Sequence, residues 1–350
     1  MYLKKFLRIF SLCLVPAMLF CACGSAPAET EPTEKPATES ATEPTEDIMK
    51  NAYHKEDPAT DDTLYILTAA ASNSHYFLDE LYGLLAAAGI KAKVCNLMRS
   101  STGINLYYDY WKKGEKVFQL IVHDENGRTV MEEMDLDLAL KAYNWDVYNM
   151  QEGNGPHRQG KTPQVIADER VLAHTEIISH IREKCPLTKQ YYQEIFAPDV
   201  GFNYTKYLAV FGLTPTQQAD YEITTREQQK AIQKNIREYT EIVCKDFDLG
   251  IIPSGRAWDI ARENPLCATM CGRLAVNNGE GDYLHDGDVG GGQYLSACVW
   301  FETLTGQSCI GNTFRPVYTH GGQEYTLSEE LVAILQQSAH QAVEELRAGK

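Results

Sequence analysis

Asp282 stands three residues before His285 in GDYLHDGDVGGG, and far earlier in the chain Ser72 and Ser74 flank an asparagine in AASNSH. These residue types can carry acyl transfer. A group that takes and returns a proton near neutral pH is usually His, and a carboxylate commonly fixes its tautomer and stabilises the imidazolium. A serine hydroxyl becomes a competent nucleophile when such a base removes its proton. Gly287 and Gly290 to Gly292 would let the chain bend closely around a ligand. Each half of the set has a plainer alternative. Asp282 and His285 also suit a solvated acidic loop, and Ser and Asn are favoured helix caps. Asp282, Asp286 and Asp288 do not follow the alternating ligand spacing of a calcium loop. No metal or cofactor is expected.

The elements that must position these residues begin with Thr63 to Ala69, an apolar run suited to a buried strand. Phe77 to Ala88 has the helical spacing of Phe77, Leu81, Leu84 and Leu85, and Lys91 to Met98 predicts a second strand. This β-loop-α-β unit builds a parallel sheet, whose working residues lie in loops beyond the carboxyl ends of the strands. Ser72 and Ser74 occupy such a loop. Asn126-Gly127 predicts a hairpin between Val117 to Val122 and Arg128 to Met134. A short helix over Asp135 to Tyr143 and a strand over Asp146 to Met150 follow. The pattern then predicts a helix from near Pro163 to Lys184, a strand from Gln190 to Phe196, and an insertion over Ala197 to Ile223. A helix over Arg226 to Val243, a strand over Asp248 to Ile252 and a short helix over Ala257 to Glu263 come next. Ser328 caps a final amphipathic helix running to Arg347. Tyr107, Tyr108, Tyr110 and Trp111 suit either a stacking wall for a sugar or the edge of a core.

The first residues stand apart from this domain. Lys4, Lys5 and Arg8 precede the short apolar run Ile9 to Phe20, followed by Cys21-Ala22-Cys23-Gly24-Ser25. The run is short for a spanning helix and resembles a bacterial lipoprotein signal, with Cys23 favoured over Cys21 as the lipidated residue. Residues 1–22 are thus expected to be a signal peptide, 23–62 an acidic Thr/Glu/Pro-rich stalk with too few apolar groups to order itself, and 63–350 the globular domain. The expected location is the extracytoplasmic face of a bacterial membrane, through the lipid anchor. The formal charge of −16 becomes about −19 without the three signal cations, which argues against nucleic acid and anionic lipid heads as partners. Seven cysteines lie beyond the N-terminal segment, and Cys267 with Cys271, or Cys298 with Cys309, are candidate pairs.

The serine loop after the first strand, taken with Asp282-x-x-His285, resembles the SGNH (GDSL-type) hydrolase superfamily, and more narrowly its DUF4886 group. The narrower likeness rests on Asn144-Trp145-Asp146-Val147-Tyr148-Asn149-Met150-Gln151-Glu152-Gly153, on the run from Leu249 to Trp258, and on the run from Gly292 to Gly306. The resemblance implies a three-layer α/β/α sandwich around a mostly parallel, flavodoxin-like five-stranded sheet with a β-hairpin insertion. It implies Ser72 as nucleophile with Ser74 second, His285 as base and Asp282 as its orienting acid. Gly103 is the implied oxyanion amide, and Gln151 or Asn154 the implied polar side chain. Family members show Gly-Asn-Ser-Phe-Ser where this chain has Ala70-Ala71-Ser72-Asn73-Ser74. The implied activity is that of a serine esterase on small-molecule or glycan esters. The competing reading is a non-catalytic glycan- or ligand-binding lipoprotein on the same scaffold.

Overall fold

The computed structural model describes residues 62–70, 77–99, 102–152, 160–202, 222–267, 291–320 and 323–349. Nine strands lie within them: β1 (Leu64–Ala70), β2 (Ala92–Met98), β3 (Phe118–Asp124), β4 (Gly127–Met134), β5 (Val147–Met150), β6 (Lys189–Gln193), β7 (Gly250–Ile252), β8 (Val317–His320) and β9 (Gln323–Thr326). The helices are α1 (Leu78–Ala87), α2 (Ile104–Lys113), α3 (Leu136–Ala142), α4 (Pro163–Asp168), α5 (Val171–Lys184), α6 (Arg226–Phe247), α7 (Ser254–Ala261), α8 (Gly292–Thr305) and α9 (Glu329–Arg347).

Seven strands form one sheet in the order β4-β3-β2-β1-β5-β6-β7, and β8 and β9 form a separate hairpin. β2, β1, β5, β6 and β7 are parallel to one another. They are the five strands of the flavodoxin-like arrangement. The Asn126-Gly127 hairpin adds β3 and β4 antiparallel to the edge of the same sheet, so the insertion extends the sheet instead of standing off it.

Alternation along each strand divides the core. Ile66, Val94, Val147 and Ile252 face a cluster with Leu81 of α1, Trp258 of α7, Trp300 of α8 and Leu335 of α9. Leu67, Cys95, Tyr148 and Tyr192 face the opposite cluster, with Tyr107 of α2, Leu136 of α3, Ile177 of α5 and Tyr239 of α6. A period of two cannot bury both parities of a strand unless both sheet faces are covered, which is the α/β/α sandwich.

Three elements differ from the sequence reading. The helix expected from Pro163 to Lys184 is interrupted at Glu169 and Arg170, where α4 ends and Arg170 becomes the N-cap of α5. The strand expected to reach Phe196 ends at Gln193, because Glu194 turns to accept from Gly255 N through its carbonyl, at 2.8 Å. The aromatic run after Gly103 is a helix, α2, whose side chains serve the core. Tyr107 and Tyr110 contact Phe118, and the Trp111 ring lies 4.6 Å from the ring of His180. The expected insertion over 197–223 leaves and returns at one point, since Gly201 N donates to Ile223 O and Ile223 N to Phe202 O. Ser328 caps α9 as expected, accepting from Leu331 N. Cys298 and Cys309 are buried free thiols and not a disulfide, and Cys271 lies outside the described residues.

Candidate active site

Parallel strands place their following loops at one edge, and here that edge collects polar residues. Thr68 of β1 stands in register with Asn96 of β2 on one side and Asn149 of β5 on the other. All three are fully buried, and Asn149 Nδ2 donates to Thr68 Oγ1 at 3.0 Å. A polar residue near the end of each of three adjacent strands, two positions before it in β1 and β2 and one in β5, is a cost in an apolar layer. The pattern is visible in LYILTAA, AKVCNLM and VYNM, and it is the signal that sequence reasoning passed over.

One step beyond this row, at the carboxyl ends of β1 and β5, lies a narrow cleft. It is lined by Ala69, Thr102, Gly103, Ile104, Tyr107, Tyr148, Met150 and Gln151. Gly103 and Gln151, expected from sequence to face an oxyanion, are therefore brought together, although they lie in different loops. Gly103 is the N-cap of α2 in an extended conformation, and its N–H donates to no described residue. Gln151 is 3% exposed and immediately follows β5.

Glu152, absent from the sequence reading as a site residue, closes this corner. Its Oε2 accepts from Ile104 N at 3.2 Å, and its Oε1 lies 3.2 Å from Nη2 of Arg170. Both charged side chains are almost wholly buried. Burial pulls the Arg170 guanidinium down, while Glu152, Tyr239 and Tyr192 pull it up further, leaving it above its ordinary value. The Arg170 guanidinium also lies over the Tyr239 ring, 5.4 Å from its centroid. The break between α4 and α5 thus delivers a cation to the end of β5.

Next along the edge, Glu194 follows β6 and is 1% exposed. Burial pushes its carboxyl up to about 7, against the opposing pull of Arg256, Arg237 and a hydrogen bond from Gln233 Nε2 to Oε1 at 3.0 Å. Gln193 Nε2 donates to Ser254 Oγ at the start of α7, at 3.2 Å. His174 is buried between Tyr192 and Phe247, and desolvation pushes it down to about 4. It is neutral at physiological pH and belongs to the packing of α5.

Ser72, Ser74, Asn154, Asp282 and His285 lie outside the described residues, as does Cys23. Among the described residues no group of three or more His, Cys, Asp or Glu is arranged to hold a metal ion. No helix among them is long and apolar enough to cross a membrane.

No protein-family model matches the chain, and no curated protein does. Solved structures do. A DUF4886 family protein from Bacteroides uniformis superposes with a TM-score of 0.60 at 21% identity, covering 81% of this chain and 95% of that one. A protein described as a GDSL-like lipase from Parabacteroides merdae gives 0.43 at 14% identity, covering 70% and 96%. A catalytic mutant of an acetylxylan esterase from Geobacillus stearothermophilus gives 0.40 at 11% identity, covering 69% and 94%. The agreement with the first structure extends over nearly all of that protein, and the chain shares its fold, a DUF4886-type α/β/α sandwich.

Proposed function

We propose that this protein is a surface-anchored serine esterase that removes O-acyl groups from carbohydrate. The observation that carries the reading is the convergence of Gly103 and Gln151 on one cleft, in whose wall stands Ala69, three residues before Ser72. An oxyanion needs donors preorganised where charge develops, and these two loops meet beyond the strand that leads to the candidate nucleophile.

In this reading His285 takes the proton of the Ser72 hydroxyl as Ser72 Oγ bonds to the ester carbonyl carbon. The carbonyl oxygen becomes the oxyanion, held by the Gly103 amide and a side chain at Gln151 or Asn154. Collapse breaks the bond to the alcohol oxygen, which receives the proton from His285. Water, deprotonated by the same base, then releases the acyl group as a carboxylic acid. Asp282 orients His285 throughout. The carbohydrate substrate and the anchoring rest on the N-terminal signal, Cys23 and the stalk, which would hold the domain where surface polysaccharide is at hand.

A fluorophosphonate probe labels an activated serine, so it should label the wild-type chain and not Ser72→Ala. Hydrolysis of p-nitrophenyl acetate and of acetylated glycans should vanish in that variant while its circular dichroism is unchanged. Full activity in Ser72→Ala removes the assignment, and loss in Ser74→Ala alone transfers it. The Ala70-Ala71 pair in place of Gly-Asn favours a second reading, a non-catalytic glycan- or ligand-binding lipoprotein. An unlabelled wild-type chain that binds acetylated glycan without releasing acetate establishes that reading instead.

A further inference from the structure

We propose that Glu152 is a positioning residue of the oxyanion site, fixing the Gly103–Ile104 corner against the end of β5 while Arg170 neutralises its charge; this rests on the esterase reading above.

A helix that begins at Ile104 would ordinarily be capped by a Ser, Thr, Asp or Asn at the preceding position. Here that position is Gly103, which offers no side chain to cap with. The first amide of α2 is instead bonded by a carboxylate from 48 residues away, Glu152 Oε2. The two residues are matched in size. A Cβ at position 103 would stand 2.6 Å from Glu152 Oε1, so any side chain there would push the carboxylate from its present seat against this backbone. What results is a corner clamped from the side, with the Gly103 N–H left without an acceptor among the described residues.

A carboxylate beside an oxyanion site would oppose the charge that develops there. Arg170 answers this, with Nη2 3.2 Å from Oε1, and is itself held over Tyr239, whose hydroxyl lies 3.3 Å from that of Tyr192. The pair supplies geometry with little net field. Donors that are misplaced by even about 1 Å lose most of their catalytic effect, on the order of 100-fold, so the clamp matters to rate more than to substrate binding.

The test compares Glu152→Ala and Glu152→Gln with the wild type, assayed as folded protein well below each thermal midpoint. Glu152→Ala should lose about 10- to 100-fold in kcat with KM within about twofold, and affinity for a boronic acid transition-state analogue should fall by the same factor. Glu152→Gln, which keeps an acceptor for Ile104 N, should lie between the two. If Glu152→Ala does not fold, the kcat, KM and analogue affinity of Glu152→Gln decide. An unchanged kcat in the folded variant, or a rise in KM at constant kcat, overturns the positioning role while leaving the esterase reading intact. A wild-type chain that neither hydrolyses esters nor reacts with fluorophosphonate overturns both.

Discussion

The two edges of the parallel sheet are built differently. At the amino edge, where the chain enters β5 and β6, a cavity of about 510 Å³ is lined by Asp137, Lys141, Tyr143, Asn144, His180 and Lys184, among others. Its charges are wet: Asp137 is 46% exposed and Lys184 50%. At the carboxyl edge the cleft is narrow, yet Glu152, Arg170 and Glu194 are nearly removed from water. Volume alone would select the amino edge. Topology selects the other, since in open α/β sheets the loops that bind and react follow the carboxyl ends of the strands. The energetics agree with topology. Desolvating a charge is expensive, and a protein sustains it where surrounding groups fix that charge in place. The larger space is lined by exposed charges, whereas the wall of the smaller one includes Ile104, whose amide is bonded by the buried Glu152 behind it.

The sharpest separation of the edges is catalytic. Ser72→Ala, in the loop after β1, should lower kcat for p-nitrophenyl acetate by about 10⁴-fold or more, the usual cost of losing a triad member. Leu187→Trp, which fills the amino-edge cavity from an exposed rim position, should leave kcat and KM within about twofold. A comparable loss in both variants would break the distinction between the edges.

Stability should separate them next. Arg170→Met leaves Glu152 as a buried, uncompensated carboxylate and should cost about 3–5 kcal/mol, read as a lower urea midpoint at unchanged slope. Tyr192 and Tyr239 cannot replace the lost cation, because neither phenol carries positive charge. A cost below about 1 kcal/mol would mean that water reaches the pair and that the carboxyl edge is no drier than the amino edge.

Much of this contrast could be read from the sequence, and the part that could not has a physical reason. Leu64 to Ala70 was legible as a short apolar run and Ala92 to Met98 by its alternation, and Asn126-Gly127 announced its turn. Gly103 and Gln151 were legible as separate positions at strand ends. Their meeting in one cleft was not, since it depends on β1 standing between β2 and β5. Glu152 reads in sequence as one more loop acid after β5. Its partners are Ile104 and Arg170, contacts of long range that no local pattern encodes. Arg170 was hidden for another reason: the periodicity from Pro163 to Lys184 continues through the break that presents it. The helix α2 was missed because its aromatics occupy neighbouring positions, Tyr107 with Tyr108 and Tyr110 with Trp111, and blur the single apolar face.

Glu194 gives the carboxyl edge a pH dependence. Its folded value of about 7 stands above the ordinary 4.5, so between those values the folded chain binds more proton than the unfolded one. The contribution to stability is full below about pH 4.5 and is lost as pH rises through 7. Glu194→Gln removes the titration but keeps an acceptor for Gln233. The stability of the variant relative to wild type should therefore grow by about 1–3 kcal/mol from pH 4.5 to pH 8, measured by urea unfolding at each pH. A difference that stays constant over this range would show that Glu194 titrates normally and is not desolvated.

The smallest effect belongs to the amino edge and is the control for all the others. His180 Nε2 lies 2.5 Å from Asp137 Oδ1 beside the cavity, and the His180 ring packs tilted against Trp111. The aspartate is nearly half exposed, so water competes for it, and replacing it removes one partner of a screened pair instead of stranding a buried charge. Asp137 also stands in the first turn of the short helix α3, where its charge adds a little through the helix dipole. Asp137→Asn should cost no more than about 1 kcal/mol, and the cost should shrink further between 0.05 and 0.5 M salt, roughly as screening predicts. A loss approaching that of Arg170→Met, and insensitive to salt, would place a desolvated charge pair at the amino edge as well. The contrast between the edges would then lie in shape alone, and the large cavity would have an equal claim to be a built site.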